Sequence, residues 1–268
     1  MIDPEIVSYY ECNGERDRLG SGARGIEFLR MWELLERFLP PAPATVLDVG
    51  GAAGRYAIPL AAVGYDVHLI DPVQHLVAQA VEDSRTAVPL ASARVGDARS
   101  LAVADASADA VLLLGPLYHL TSRADRVAAL SEARRVTRPG GVVVAVGLSR
   151  FYPLLEELAA GKPRSPGETA KFLADGQYRN PDGDVAGFTT SYFHRPEDLA
   201  AEVADAGLTL DRIVGGTGIV KLALPDLAER LDDLERRAAV TGLLRLTESE
   251  PSLLGFSQNL VAIARADG

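Results

Sequence analysis

The chain has 268 residues, 47% of them hydrophobic, enough to bury the core of one large domain. Its 37 acidic and 27 basic residues leave a net charge of −10, which repels a phosphate backbone and argues against nucleic acid as a substrate. The only cysteine, Cys12, cannot form an internal disulfide and there is no thiolate cluster for a metal; with no signal-like start and no long apolar run, the expectation is a cytoplasmic protein outside the membrane.

Ile26, Leu29, Trp32, Leu35 and Leu39 recur at three- and four-residue steps among charged residues, which predicts an amphipathic helix over 23–39. Pro40, Pro41 and Pro43 end it, so residues 1–44 read as a helical cap before the first strand. Over 45–150, apolar runs near 45–49, 66–70, 91–95, 109–114 and 141–147 alternate with helical stretches. That rhythm demands parallel pairing through right-handed crossovers, an α/β doubly wound sheet.

Residues 151–194 break the rhythm. The segment is rich in Pro and Gly, and 151–193 holds Phe151, Tyr152, Phe172, Tyr178, Phe188, Tyr192 and Phe193. These aromatics suggest an inserted lid over an apolar substrate, or else a satellite core against the sheet edge. Residues 195–268 return to the core, with a helix starting near Arg195-Pro196-Glu197, strands near 208–214 and 258–264, and an amphipathic helix around 225–241.

Two phrases carry the chemistry. The run Thr45-Val46-Leu47-Asp48-Val49 leads into Gly50-Gly51-Ala52-Ala53-Gly54, and Val67-His68-Leu69-Ile70 ends on Asp71. A buried strand breaking into a glycine-rich turn, with a carboxylate at the tip of the next strand, is built to hold a nucleoside. No register satisfies G-x-G-x-x-G, which disfavours a nicotinamide oxidoreductase. With Ala52 as the middle residue, the turn fits the shorter G-x-G-x-G spacing. Val95-Gly96-Asp97-Ala98, Asp109 to Leu120, and Ala133 to Gly141, ending Arg138-Pro139-Gly140-Gly141, follow in order. Together these landmarks resemble the class I S-adenosylmethionine-dependent methyltransferases of small-molecule type.

The resemblance implies a Rossmann-like seven-stranded sheet, mostly parallel with the last strand antiparallel. It also implies S-adenosylmethionine as cofactor and S-adenosylhomocysteine as product. In the family the glycine turn contacts the methionine part, which points to Gly50, Gly51, Ala52 and Gly54; the methyl of Ala52 is a departure from the usual glycine. Asp71, followed by Pro72, emerges at the same sheet edge, where its carboxylate could accept from both ribose hydroxyls. Asp97 and Ala98 resemble the pair that reads adenine, and Leu114 and Gly115 begin the segment that lines the pocket. Tyr10 and Arg18 lie in phrases resembling a cap found in some relatives. Arg18 would clamp the methionine carboxylate while Tyr10 closes the site, or both belong to an ordinary charged helix.

Methyl transfer is an in-line displacement that needs chiefly proximity, and a base only where the acceptor loses a proton. Tyr118 and His119 leave the fourth strand beside the expected methyl position, and His194 ends the insert. Both histidines are candidate bases, with structural hydrogen bonding or helix capping as the competing readings. His68 and His75, within a strand and on a helix face, read as structural. The function expected is methylation of an O, N or C atom of an apolar or aromatic small molecule. Gly115-Pro116-Leu117-Tyr118 stands where amino-group methylases carry Asn-Pro-Pro-Tyr, which disfavours nucleic-acid and glutamine amines. The alternative is a protein that holds S-adenosylmethionine structurally while catalysing a cyclisation or rearrangement. A homodimer is possible, and no metal is expected.

Overall fold

In the computed structural model, which describes residues 5–6, 9–10, 25–180, 188–224 and 227–267, the prolines after Leu39 separate helix α1 (Gly25–Phe38) from strand β1 (Thr45–Val49). Helix α1 buries Ile26, Met31, Leu34 and Leu35, and its Arg30 and Arg37 share the carboxylate of Glu248. The cap is thus bound by apolar packing and by charge to the C-terminal part of the chain.

From β1 the chain alternates through α2 (Ala57–Ala62), β2 (Asp66–Asp71), α3 (Gln74–Arg85), β3 (Ser92–Val95), β4 (Ala108–Leu113), α4 (Pro116–His119), α5 (Arg123–Val136) and β5 (Thr137–Ser149). Next come α6 (Tyr152–Ala159), α7 (Pro166–Asp175), β6 (Gln177–Tyr178), β7 (Ser191–His194), α8 (Pro196–Asp205) and β8 (Thr209–Gly215). Short helices α9 (Val220–Ala223) and α10 (Leu227–Asp232), then α11 (Leu234–Thr247) and α12 (Pro251–Leu254), precede β9 (Asn259–Arg265).

Strands β3, β2, β1, β4 and β5 are parallel neighbours in that order, and β9 joins β5 antiparallel with β8 beyond it. The expected last antiparallel strand is therefore β9. The central strands are buried on both faces. Val111, Leu113, Val143 and Ala145 pack against Ala129 and Leu130 of α5 and Leu199 of α8, while Ala110, Leu112, Val142 and Val144 face Leu34 and Leu35 of α1 and Leu60 of α2. Double coverage explains why these strands read as continuous apolar runs rather than alternating ones.

The sheet has nine strands rather than seven, because the insert contributes β6 and β7. Strand β7 adds parallel to the end of β5 through Leu148–Phe193 and Ser149–His194. Leu148 is paired with Asn259 on its other edge, so β7 takes over the edge of β5 that β4 vacates after Leu113. The helix expected around 225–241 is divided at Asp233, whose side chain accepts from the amide of Arg236 and caps α11. In the insert, Phe172 and Phe193 form a small core with Leu148, and Tyr118, Tyr178 and Phe188 pack on it. These aromatics pack as a satellite core.

Candidate functional site

The loops leaving β1, β2, β3 and β4 meet at the carboxyl edge of the sheet and enclose a cavity of about 540 Å³. That lies within the roughly 300–1,000 Å³ usual for small-molecule sites at such an edge. Gly50, Gly51, Ala52, Asp71, Pro72, Asp97, Ala98, Leu114, Gly115, Tyr118, His119 and Tyr10 all line it.

The turn after β1 is held by close approaches. Gly50 sits at φ +73°, and a Cβ there would stand 2.7 Å from the ring of Pro116. A Cβ on Gly51 would stand 2.7 Å from Asp48 Oδ2. Ala52 adopts φ +47°, the left-handed region that L-residues avoid, and keeps it because its amide donates to Asp71 Oδ2 at 2.8 Å. The turn therefore closes with alanine in place of the family's middle glycine. Asp71 Oδ1 accepts from the amide of Val73 at 2.9 Å, so this carboxylate joins the β1 and β2 loops. These two bonds do not exhaust a carboxylate's acceptor capacity.

Asp48, in β1 beneath the turn, is not among the site residues expected from the sequence, although an acid inside an apolar strand two positions before the turn is a readable signal. It lines the cavity at 1% exposure, and its Oδ2 has no hydrogen-bond partner among the described residues. Burial, with the neighbouring charge of Asp71, pushes its carboxyl up to about 7 against the lowering effect of the Ala57 amide. The cavity thus presents a buried acid in need of a cation.

At the β3 end, Asp97 accepts from Arg99 through Nε at 3.0 Å and Nη2 at 2.6 Å, and from the Arg99 amide at 2.9 Å. The Arg99 side-chain bonds hold Asp97 below the usual carboxylate range despite partial burial. Arg99 also reaches Asp125 Oδ2 at 2.9 Å, a strut from the β3 loop to α5 across the cavity rim. Arg99 and Asp125 both line the cavity and were not among the site residues expected from the sequence.

His119 ends α4. Its Nε2 lies 2.7 Å from the Tyr10 hydroxyl, and its Nδ1 lies 3.4 Å from the carbonyl oxygen of Thr190. A carbonyl only accepts, so Nδ1 donates to Thr190; when the ring is neutral, Nε2 then accepts from the Tyr10 hydroxyl. Tyr118 and Phe188 pack around the imidazole with ring centroids 4.6 and 5.8 Å away. Tyr10 and His119 are brought together from positions 109 apart in the chain.

His194 is elsewhere. It is fully buried, it does not line the cavity, and its Nε2 faces Glu202 Oε2 at 3.2 Å. Burial holds this imidazole below its ordinary range against the raising effect of Glu202. His194, a candidate base in the sequence, is thus placed away from the cavity and against Glu202 of α8, as the competing structural reading has it. Arg18 lies outside the described residues.

The methyltransferase-domain family model matches residues 46–141, the stretch from β1 to the start of β5. An uncharacterized methyltransferase of Mycobacterium tuberculosis is 34% identical over 109 residues, 41% of this chain and 42% of the relative. A ubiquinone/menaquinone biosynthesis C-methyltransferase of Caulobacter vibrioides is 31% identical over 143 residues, 48% of this chain and 54% of the relative. The chain matches only about half, or less, of the length of these curated relatives. Among solved structures, a SAM-dependent methyltransferase of Methanosarcina mazei superposes with TM-score 0.60 at 18% identity, covering 87% of this chain and 97% of the other. The [4+2]-cyclase SpnF does so with TM-score 0.58 at 19% identity, covering 98% and 92%.

The fold is the Rossmann-like one shared with solved S-adenosylmethionine-dependent methyltransferases. Residues 46–141 match a methyltransferase domain, and that stretch is similar to methyltransferases that use S-adenosylmethionine.

Proposed function

We propose that the protein transfers a methyl group from S-adenosylmethionine to a small, largely apolar or aromatic acceptor. The observation that carries this reading is the convergence on one cavity of the glycine turn, the buried acids Asp48 and Asp71, and the hydrogen-bonded pair Tyr10 and His119. The cavity fits the cofactor: the turn backbone at Gly50, Gly51 and Ala52 lines it beside Asp71, and Asp48 Oδ2 awaits a donor. When bound, the cofactor supplies an electrophilic methyl on a positively charged sulfur.

The protein's part is to hold and align. The turn and Asp48 would bind the methionine end, with Asp48 accepting from its ammonium. Asp71 would take the ribose hydroxyls, and Asp97 with the backbone at Ala98 would take adenine. On the acceptor side, Ile6, Leu120 and Tyr118 provide apolar wall. An acceptor hydroxyl or amine placed against the Tyr10 oxygen can lose its proton to that oxygen as the phenolic proton moves onto His119 Nε2. The Thr190 carbonyl, accepting from Nδ1–H, favours the imidazolium that results. A carbon acceptor with an adjacent hydroxyl would use the same path. The quinone-pathway relative and the apolar wall favour an uncharged acceptor.

Calorimetric titration with S-adenosylmethionine, S-adenosylhomocysteine and NAD tests the cofactor, and mass spectrometry of acceptor mixtures tests the transfer. Binding of the two adenosyl compounds but not NAD, with a product heavier by one methyl group, supports the reading. The fold shared with the [4+2]-cyclase keeps one second reading, a cofactor-bound enzyme catalysing a cyclisation; a product of unchanged mass would favour it.

A further inference from the structure

Behind the cavity wall, α5, α8 and β7 enclose a charged cluster that the proposed chemistry does not use. The side chains of Arg126 and Glu202 are 2% and 1% exposed. Arg126 donates through Nε to both carboxylate oxygens at 3.0 Å and through Nη2 to Oε1 at 2.7 Å. Its third nitrogen, Nη1, donates to the carbonyl oxygens of Leu120 at 2.8 Å and Thr121 at 2.9 Å. Leu120 and Thr121 directly follow His119 and line the cavity.

A guanidinium is planar and rigid, so the carboxylate that holds one edge of the fork sets the direction of the other. Glu202 is itself placed by His194, whose ring is packed so closely on Gly147 that a Cβ there would lie 2.7 Å from Nδ1. The ring of Tyr192 lies under the guanidinium, 3.5 Å from centroid to Cζ, and the Tyr192 hydroxyl accepts from Arg150 at 2.8 Å. Tyr192 and His194, both on β7, thus hold the Arg126 assembly. Thr190, just before that strand, supplies the carbonyl that meets His119 Nδ1. Thr190 thus meets the imidazole itself, while Arg126 grips the two peptide carbonyls that follow His119 in the chain.

We propose that Arg126, held by Glu202 and His194, is a positioning residue that sets the orientation and tautomer of His119. The inference rests on the reading of His119 as proton acceptor, and its test needs no acceptor substrate. In protein labelled with 15N-histidine and kept at a pH where His119 is neutral, the ring nitrogen shifts report which nitrogen holds the proton; His119→Gln assigns the signal. In the unaltered protein His119 shows a protonated Nδ1 and a bare Nε2. Arg126→Lys keeps the charge but loses the fork, and Glu202→Gln keeps the shape but loses the charge. In both, the His119 signals move to values of mixed tautomers, while binding of S-adenosylhomocysteine stays within about threefold. Should Arg126→Lys fail to fold, Glu202→Gln, close to isosteric, decides alone. Unchanged His119 signals in a folded variant, or a protonated Nε2 in the unaltered protein, overturn the proposal. Failure of the unaltered protein to bind S-adenosylhomocysteine would instead overturn the methyl-transfer reading and leave the His119 result standing on its own.

Discussion

Binding of the cofactor should release protons, and the number released should follow the titration of Asp48. Its carboxyl, pushed up to about 7 by burial and by Asp71, is mostly protonated below that pH and mostly ionised above it before the cofactor binds. An ammonium placed against Oδ2 favours the ionised form, so binding expels the proton where it is still held. The apparent affinity therefore falls as pH drops below 7, by about tenfold for each further unit. Titrating S-adenosylhomocysteine in buffers of different ionisation enthalpy at each pH measures the protons directly, with Asp48→Asn as the reference. The same shift also bears on stability. An acid raised in the folded state binds its proton more tightly there than in the unfolded chain, so it weakens the fold as pH rises from about 4 and the effect levels off above about 7. Moving from 3.8 to about 7 corresponds to on the order of 4 kcal/mol, so Asp48→Asn should melt higher than the unaltered protein at pH 8 and not at pH 4. Proton release that is zero at pH 6, or that persists in Asp48→Asn, would refute this account.

Other substitutions separate the roles within the site. Ala52→Gly relieves the left-handed backbone at φ +47° and should raise stability by about 1 kcal/mol, read by thermal melting. Gly51→Ala drives a methyl onto Asp48 Oδ2 and should abolish cofactor binding in a protein that still folds, as calorimetry with circular dichroism would show. Asp71→Ala removes the acceptor of the Ala52 and Val73 amides and should weaken cofactor binding about 100-fold or more, whereas His119→Ala should leave binding within a few-fold and lower turnover. Equal loss of binding in the last two would undo the division between the cofactor and proton-transfer halves.

The part of the cavity lined by the glycine turn, Asp71 and Asp97 was legible because local chemistry dictates it. A buried strand must end where glycines begin, and an acid at the tip of the next strand can only emerge at the same edge, so Gly50, Asp71 and Asp97 could be placed by counting. Asp48 lies in that same phrase, but its importance comes from missing partners, a property of packing rather than of spacing. Strands β6 and β7 were hidden because they are short: Ser191 to His194 are all buried, so no alternation marks them. The separate fates of the two histidines depend on that hidden strand. Tyr10 was legible as a residue closing the site, but its bond to His119 spans 109 positions and no local pattern announces it.

Strand β5 is the seam of the molecule. Along most of its length it is flanked by β4 and β9, and only Leu148 and Ser149 engage β7. The insert thus adds to the sheet only at this end of β5, while its side chains and Thr190 also reach Tyr118, His119 and Arg126. Exchange of the segment between Arg150 and His194 would change the surroundings of His119 and Arg126 while leaving the glycine turn, Asp71 and Asp97 in place, so one scaffold can carry different walls on that side of the cavity.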